Sequence, residues 1–314
     1  MFRLRLVPDD TKIPFMRGRH IGLIVSAVLS LASVFLFFYP GLNYGIDFRG
    51  GIVIEARTPE PANFTQLRHT LNALNMGQVA LQEFGSPQDV LIRLERQPGD
   101  DAAQQTAADT VRATLAREVP GTVVRRVEAV GASVSSELFF NGMLALGLAM
   151  VAMLVYIWFR FEWQFGLGAV VTLLLDVTKI IGFYAITGMQ FNLTAVAAIL
   201  TIMGYSINDK VVVYDRMREN LRIYKKMPLR ELIDRSINET LNRTLGTSMC
   251  TLLSIIPLAL FGGEALEDFG LVLIFGIFLA TSSSIFIAAP ILLFLGENRL
   301  RRGTPVEAAP AASP

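Results

Sequence analysis

The 314-residue chain contains one cysteine, Cys250, and only two histidines. A lone thiol excludes an intramolecular disulfide framework, and so few soft donors argue against a His/Cys metal site. There is no Gly-rich phosphate loop, so nucleotide hydrolysis by this chain is not expected. No nucleophile–base constellation marks it as an enzyme, and nothing calls for a cofactor. Net charge is only +1, so no basic excess points to nucleic acid. Charge is also scarce locally. Several stretches of about 18–25 residues carry almost none, each long enough to cross a hydrocarbon core roughly 30 Å thick.

The first such run, Ile21 to Phe38, follows Arg3, Arg5, Lys12, Arg17 and Arg19. A basic region before an apolar one resembles a signal peptide. However, the run is long and leads into Tyr39-Pro40-Gly41 rather than a small-residue cleavage site, so an uncleaved anchor is expected. Five further spans are expected near Leu138–Phe159, Phe165–Ile186, Leu193–Tyr214, Thr244–Phe261 and Phe269–Leu295. Between the first and second spans the chain turns polar. Ile52 to Ala56, Val79 to Phe84, Val90 to Leu94 and Thr122 to Val130 read as strands, while Phe64 to Met76 and Asp101 to Val119 read as helices. The order β-α-β-β-α-β is the ferredoxin-like pattern. The expected organisation is a cytoplasmic segment 1–20, a first membrane helix 21–38, a periplasmic α+β domain 39–137, a five-helix membrane domain 138–295 and a disordered cytoplasmic tail 296–314.

Lys and Arg positions set the orientation. Arg216, Arg218, Arg222, Lys225, Lys226, Arg230 and Arg235 lie between the fourth and fifth spans, and Arg299, Arg301 and Arg302 follow the sixth. By contrast, Gly262 to Asp268 carries only acidic charge, and Thr187 to Asn192 none. By the positive-inside rule both termini are cytoplasmic and the folded domain is outside.

A charge within hydrocarbon costs at least about 2.5–3.5 kcal/mol, so each one needs a reason. In the fourth span Thr201, Tyr205 and Asn208 share a helix face, with Asp209 at its edge. At the start of the fifth, Arg243, Thr244, Thr247, Ser248, Thr251 and Ser254 make a polar stripe. Near the middle of the third, Asp176 precedes Lys179 by three residues. The fourth span enters the cytoplasm and the fifth leaves it, which places Asp209 and Arg243 at comparable depth on consecutive helices. A carboxylate that pairs with Arg, or takes up a proton when the Arg moves away, can couple a proton gradient to movement. Structural readings stand beside this one. Asp209 and Arg243 could snorkel to the interface, the Ser/Thr stripe could serve helix packing, and Asp176 could pair with Lys179.

Gly45-Ile46-Asp47-Phe48-Arg49-Gly50-Gly51 resembles the G-I-D-F-x-G-G signature of the SecD/SecF family. Gly204-Tyr205-Ser206-Ile207-Asn208-Asp209-Lys210-Val211-Val212, running on into Asp215-Arg216-Met217-Arg218-Glu219-Asn220, resembles the motif of its SecF branch. So does Leu241-Asn242-Arg243-Thr244-Leu245-Gly246-Thr247-Ser248. One departure is Leu175, which stands before Asp176 where relatives commonly carry His. Another is Gly131 to Leu138, which differs from the family's usual G-P-x-V-G-x-E-L-like segment.

The resemblance implies a polytopic α-helical membrane protein with six transmembrane helices (RND-like) in the bacterial inner membrane, with a periplasmic ferredoxin-like domain. It implies a non-enzymatic role in preprotein export, driven by protons. The implied partners are SecD and the SecYEG channel with SecA, with YidC and YajC as further candidates. Asp209 and Arg243 match the positions implicated in proton transfer, with Asn208 beside them. Asp176, Lys179 and Thr247 form a secondary polar set. Gly45, Asp47, Gly50 and Gly51 would be structural. Two rival readings are a small-molecule RND exporter subunit and a non-conducting scaffold of the translocon.

Overall fold

A computed structural model describes residues 7–8, 11–77, 79–262 and 264–295. The expected disordered tail 296–314, and part of the expected N-terminal segment, lie outside the described residues. In chain order the elements are a 3-10 turn (Phe15–Arg17), α1 (Arg19–Phe38), β1 (Asn43–Tyr44), α2 (Ile46–Arg49), β2 (Gly51–Arg57) and α3 (Phe64–Asn72). Next come β3 (Val79–Phe84), β4 (Ser86–Leu94), α4 (Asp101–Glu118), β5 (Val123–Val130), α5 (Ala132–Arg160) and α6 (Trp163–Thr187). The chain continues through β6 (Gln190–Phe191), α7 (Leu193–Ile223), α8 (Leu229–Phe261), α9 (Glu264–Ser283), a π-helical turn (Ser284–Ala288) and α10 (Ala289–Leu295). Among the described residues, six helices are long and apolar enough to cross a membrane: α1, α5, α6, α7, α8 and the run Leu266–Phe294.

Two compact units emerge. One is an α+β unit of Asn43–Ala145 with Gln190–Leu193; the other holds the chain up to Leu42, Leu146–Met189 and the chain from Thr194 onward. In the α+β unit, β2 and β4 present alternate residues to one face, so Ile52, Ile54 and Ala56 meet Val90, Ile92 and Leu94. Leu67 and Leu71 of α3, with Val111 and Leu115 of α4, close the other side of that core. The sheet order is β3-β4-β2-β5 with every pair antiparallel, which is the ferredoxin-like arrangement. Asn63 starts α3 by accepting from the Gln66 N–H at 3.1 Å, and Asp100 starts α4 by accepting from Ala103 at 3.1 Å. Helix α3 stops at Asn72, short of the expected Met76, because Asn75 and Gly77 adopt φ of 53° and 82°.

The membrane-helix unit obeys a different packing rule. On α1 the buried positions are Ser26, Ser30 and Ser33, while Ile21, Ile24, Val28, Leu31 and Phe35 point outward. Lipid chains satisfy apolar side chains as well as protein does, so small residues that let backbones approach mark the helix contacts. A Cβ on Gly182 of α6 would collide with Ser33, and one on Gly22 would come within 2.8 Å of Phe286 Cβ. Helices α7 and α8 extend well past the expected spans of 193–214 and 244–261. Their polar ends are zipped together by Arg216–Glu239 at 2.7 Å and by Asn220 Nδ2 donating to Ser236 Oγ at 2.9 Å. The segment before α1 is tied to α8, where Met16 N–H donates to Asp234 at 2.7 Å.

Candidate functional site

Asp176 and Lys210 are each only 1% exposed, and they form an ion pair of 3.0 Å between α6 and α7. The same carboxyl oxygen, Oδ2, accepts from Ser206 Oγ at 2.8 Å and from Ser283 Oγ at 2.8 Å. Lys210 Nζ also donates to Ser206 Oγ and, at 3.3 Å, to Ser283 Oγ. Three helices therefore contribute to one buried knot. A buried pair is retained only when its remaining donors and acceptors are met, and these serines meet most of them. The exception is Asp176 Oδ1, which has no partner among the described residues.

The mutual Asp176–Lys179 pair considered from the sequence is replaced by this one. Lys179 sits on α6 with Asp176, but its Nζ donates to Ser26 Oγ of α1 at 2.7 Å. The serine face of α1 is thus both a packing surface and an acceptor for a buried ammonium.

Asp209 is 5% exposed, and its carboxyl lies within reach of the hydroxyls of Ser284 and Thr244. One of its oxygens, Oδ2, and the Thr244 hydroxyl both lack a partner of good geometry among the described residues. Asn208, one position earlier, is exposed, as is Thr247, whose hydroxyl bonds back to Thr244 O at 2.9 Å. Arg243 is exposed on α8 and forms no ion pair among the described residues, so the structure does not join it to Asp209. The polar stripe of α8 divides. Arg243, Thr247 and Ser254 face outward, while Thr244 and Ser248 are buried. Ser248 Oγ shares hydrogen bonds with Tyr205 OH at 2.7 Å and Thr281 Oγ1 at 2.8 Å, linking α7, α8 and α9.

Sequence reasoning singled out neither Lys210 nor the serines at 206, 283 and 284. The available signal was Ser206 four residues before a lysine inside an apolar span, a spacing that puts both on one helix face. Ser283 and Ser284 flank the start of the π-helical turn, an irregularity often found at functional sites and not visible in hydropathy.

The glycine motif is a separate construction within the α+β unit. Gly45 precedes the short helix α2, and its N–H donates to Phe191 O at 3.0 Å beside the parallel β1–β6 pair. A Cβ on Gly45 would come within 3.0 Å of Asn192 Cβ. Gly50 and Gly51 take φ of 72° and 124°, and a Cβ on Gly51 would lie 2.7 Å from Leu94 O. Asp47 Oδ2 accepts from the N–H of Leu193, the first residue of α7, at 3.0 Å.

Comparison with known proteins agrees with this construction. A family model described as "Protein export membrane protein SecD/SecF, C-terminal" matches residues 110–298, and one described as "SecD/SecF GG Motif" matches residues 35–58. The chain is 42% identical over 303 residues to the protein translocase subunit SecF of Rickettsia bellii, covering 96% of this chain and 99% of that protein. It is 45% identical to the SecDF subunit of Brucella abortus over 94% of its own length and 38% of the longer protein. A crystal structure of SecDF from Thermus thermophilus, a translocon-associated membrane protein, superposes with a TM-score of 0.83 at 32% identity. That match covers 94% of this chain and 40% of the solved one. The chain thus spans about two-fifths of the length of the solved SecDF structure. By family match, near full-length identity and shared architecture, the chain belongs to the SecD/SecF family of protein-export membrane proteins.

Proposed function

We propose that this chain is the SecF-type subunit of a Sec protein-export translocase and works with a SecD subunit to draw preproteins across the inner membrane at the expense of the proton-motive force. The observation that carries the proton-driven part is that two membrane-buried carboxylates, Asp176 and Asp209, each keep one oxygen without a partner among the described residues. Lys210 stands between them, next to Asp209 in the chain and ion-paired to Asp176. An ionisable group in a membrane helix is expensive, and a proton relay is a recurrent reason for keeping it there. In this reading Asp209 exchanges protons, Asn208 and Thr247 border the aqueous approach, and Arg243 sets when the exchange occurs. Asp176 and Lys179 hold the surrounding helices.

Partnership with SecD is supported by the outward face of α7 and α8. Thr201, Gly204 and Asn208 on α7, with Arg243 and Thr247 on α8, leave small and polar groups uncovered. Such a face suits another helix bundle better than lipid. A charged residue there finds its counter-ion on the partner, in keeping with Arg243 forming no ion pair among the described residues. SecYEG and SecA then act upstream of the pulling step, with YidC and YajC as accessory neighbours, and no step requires catalysis by this chain.

The test is preprotein export in cells whose only copy carries Asp209→Asn, with membrane abundance and SecD retention measured in parallel. Asparagine keeps size and polarity but releases no proton. Export is expected to collapse at normal abundance and assembly. Normal export would remove Asp209 from proton coupling and leave the scaffold reading in its place.

A further inference from the structure

The sheet of the α+β unit buries one face under α3 and α4, and its other face carries Val53, Glu55, Leu91 and Arg93 by alternation. Acidic groups on that face are already engaged. Arg126 holds Glu55 at 3.4 Å and Glu128 more closely, while Asp89 lies 3.3 Å from Arg125 and 3.8 Å from Arg57. Beyond them a cleft of about 520 Å³ opens, lined by Tyr44, Arg49, Ala80, Arg93 and Arg96 among others. Among the described residues, none of these three guanidiniums makes an ion pair. Arg93 Nε is buried with no hydrogen-bond partner among the described residues, and Arg49 lies over the Tyr44 ring at 5.7 Å. Glu95, the one acid in the lining, leans elsewhere, so that a Cβ on Gly77 would meet its Oε2 at 2.8 Å.

Three arginines around one concavity, with no ion pair among the described residues, present donors that an anion could use. A guanidinium fork matches phosphate oxygens in pairs. Burial holds the Arg93 pKa below the ordinary arginine value, a desolvation that an anion seated in the cleft would offset. Only Tyr39–Leu42 separates the end of α1 from Asn43 at the cleft wall, a segment that reaches at most about 18 Å. Aromatic and basic residues so close to a membrane helix end are typical of headgroup depth. We propose that this cleft binds the phosphate of an anionic phospholipid headgroup, through Arg93 and Arg96 with Arg49 at its mouth. It is a lipid site separate from the buried carboxylates, and it does not depend on how protons are used.

The experiment uses the full chain purified in detergent and delipidated. It is titrated with phosphatidylglycerol, with diacylglycerol of the same acyl chains, or with inorganic phosphate, and bound species are counted by native mass spectrometry. Retention of phosphatidylglycerol well above diacylglycerol is expected, with about a tenfold loss in Arg93→Gln, the loss appropriate to one charge-assisted hydrogen bond. Arg93→Lys keeps the charge without the fork and should fall between. If Arg93→Gln does not fold, Arg96→Gln and Arg49→Gln, both exposed, carry the same test. Arg117→Gln, on α4 and outside the cleft lining, should bind as the parent does. Equal retention of both lipids, or retention untouched by the arginine changes, would overturn the proposal. Binding of inorganic phosphate without preference for the phospholipid would overturn it in favour of a free oxyanion.

Discussion

At the scale of single residues, the pair Asp176–Lys210 has the clearest energetic consequence. Both groups are out of contact with solvent, so removing one leaves the other charge buried and alone, which costs about 3–5 kcal/mol. Lys210→Met should therefore lower the melting temperature of the purified protein sharply. The double change Asp176→Asn with Lys210→Met should recover much of the loss, and a double variant no more stable than the single one would refute this account. Asp176 was legible as an ionisable residue inside an apolar run, whereas Lys210 was not singled out. Their pairing was not legible. Lys179 is the nearest opposite charge to Asp176 along α6, yet it turns to Ser26, and the carboxylate finds a lysine on another helix. Successive helical residues point about 100° apart, so Asp209 and Lys210, adjacent in sequence, serve different neighbours. Packing between helices decided both partners, and hydropathy carries no information about that rotation.

At the scale of elements, the glycine motif works as a fastening. Gly45 allows close approach, Gly51 allows φ of 124°, and the turn they shape delivers Asp47 to the first amide of α7. A carboxylate there satisfies one orphan N–H and complements the helix dipole. Asp47→Ala should cost about 1 kcal/mol and speed hydrogen exchange at the start of α7, whereas Asp47→Asn should retain most of the protection. Unchanged exchange in the alanine variant would count against the capping role. Gly51→Ala should be the harsher change, since strain at that φ is joined by the contact with Leu94 O, and a thermal melt would show it. Element types in the α+β unit were readable because alternation and helical spacing survive in a half-buried sheet. Helix lengths in α7 and α8 were not. Their ends are polar and held by Arg216, Glu239 and Asn220, so a hydropathy window registers the part suited to lipid and misses the part suited to water.

At the scale of the whole molecule, the distribution of Lys and Arg sets an orientation that labelling can test. In a Cys250→Ser background, Gln105→Cys on α4 should react with a membrane-impermeant maleimide added to intact spheroplasts. Lys226→Cys, between α7 and α8, should react only after permeabilisation. The reverse pattern would invert the topology. The number of spans was legible because each apolar run is long. How the helices bury one another was not, since α1 hides its serines and shows its isoleucines.

That inverted face bears on how the chain is made. Synthesis delivers Ser26 long before Lys179, 153 positions later, so the lysine enters with its acceptor already in the membrane. Asp176 has no such advantage, because Lys210 follows by 34 positions, roughly 2–7 s at ordinary elongation rates of about 5–20 residues per second. For that interval the carboxylate lacks its eventual partner, and the other charge in its helix, Lys179, is engaged with Ser26. The third and fourth spans are therefore best released into lipid together, as one inserted hairpin, and a ribosome paused between them would leave the membrane machinery holding an unfinished ion pair.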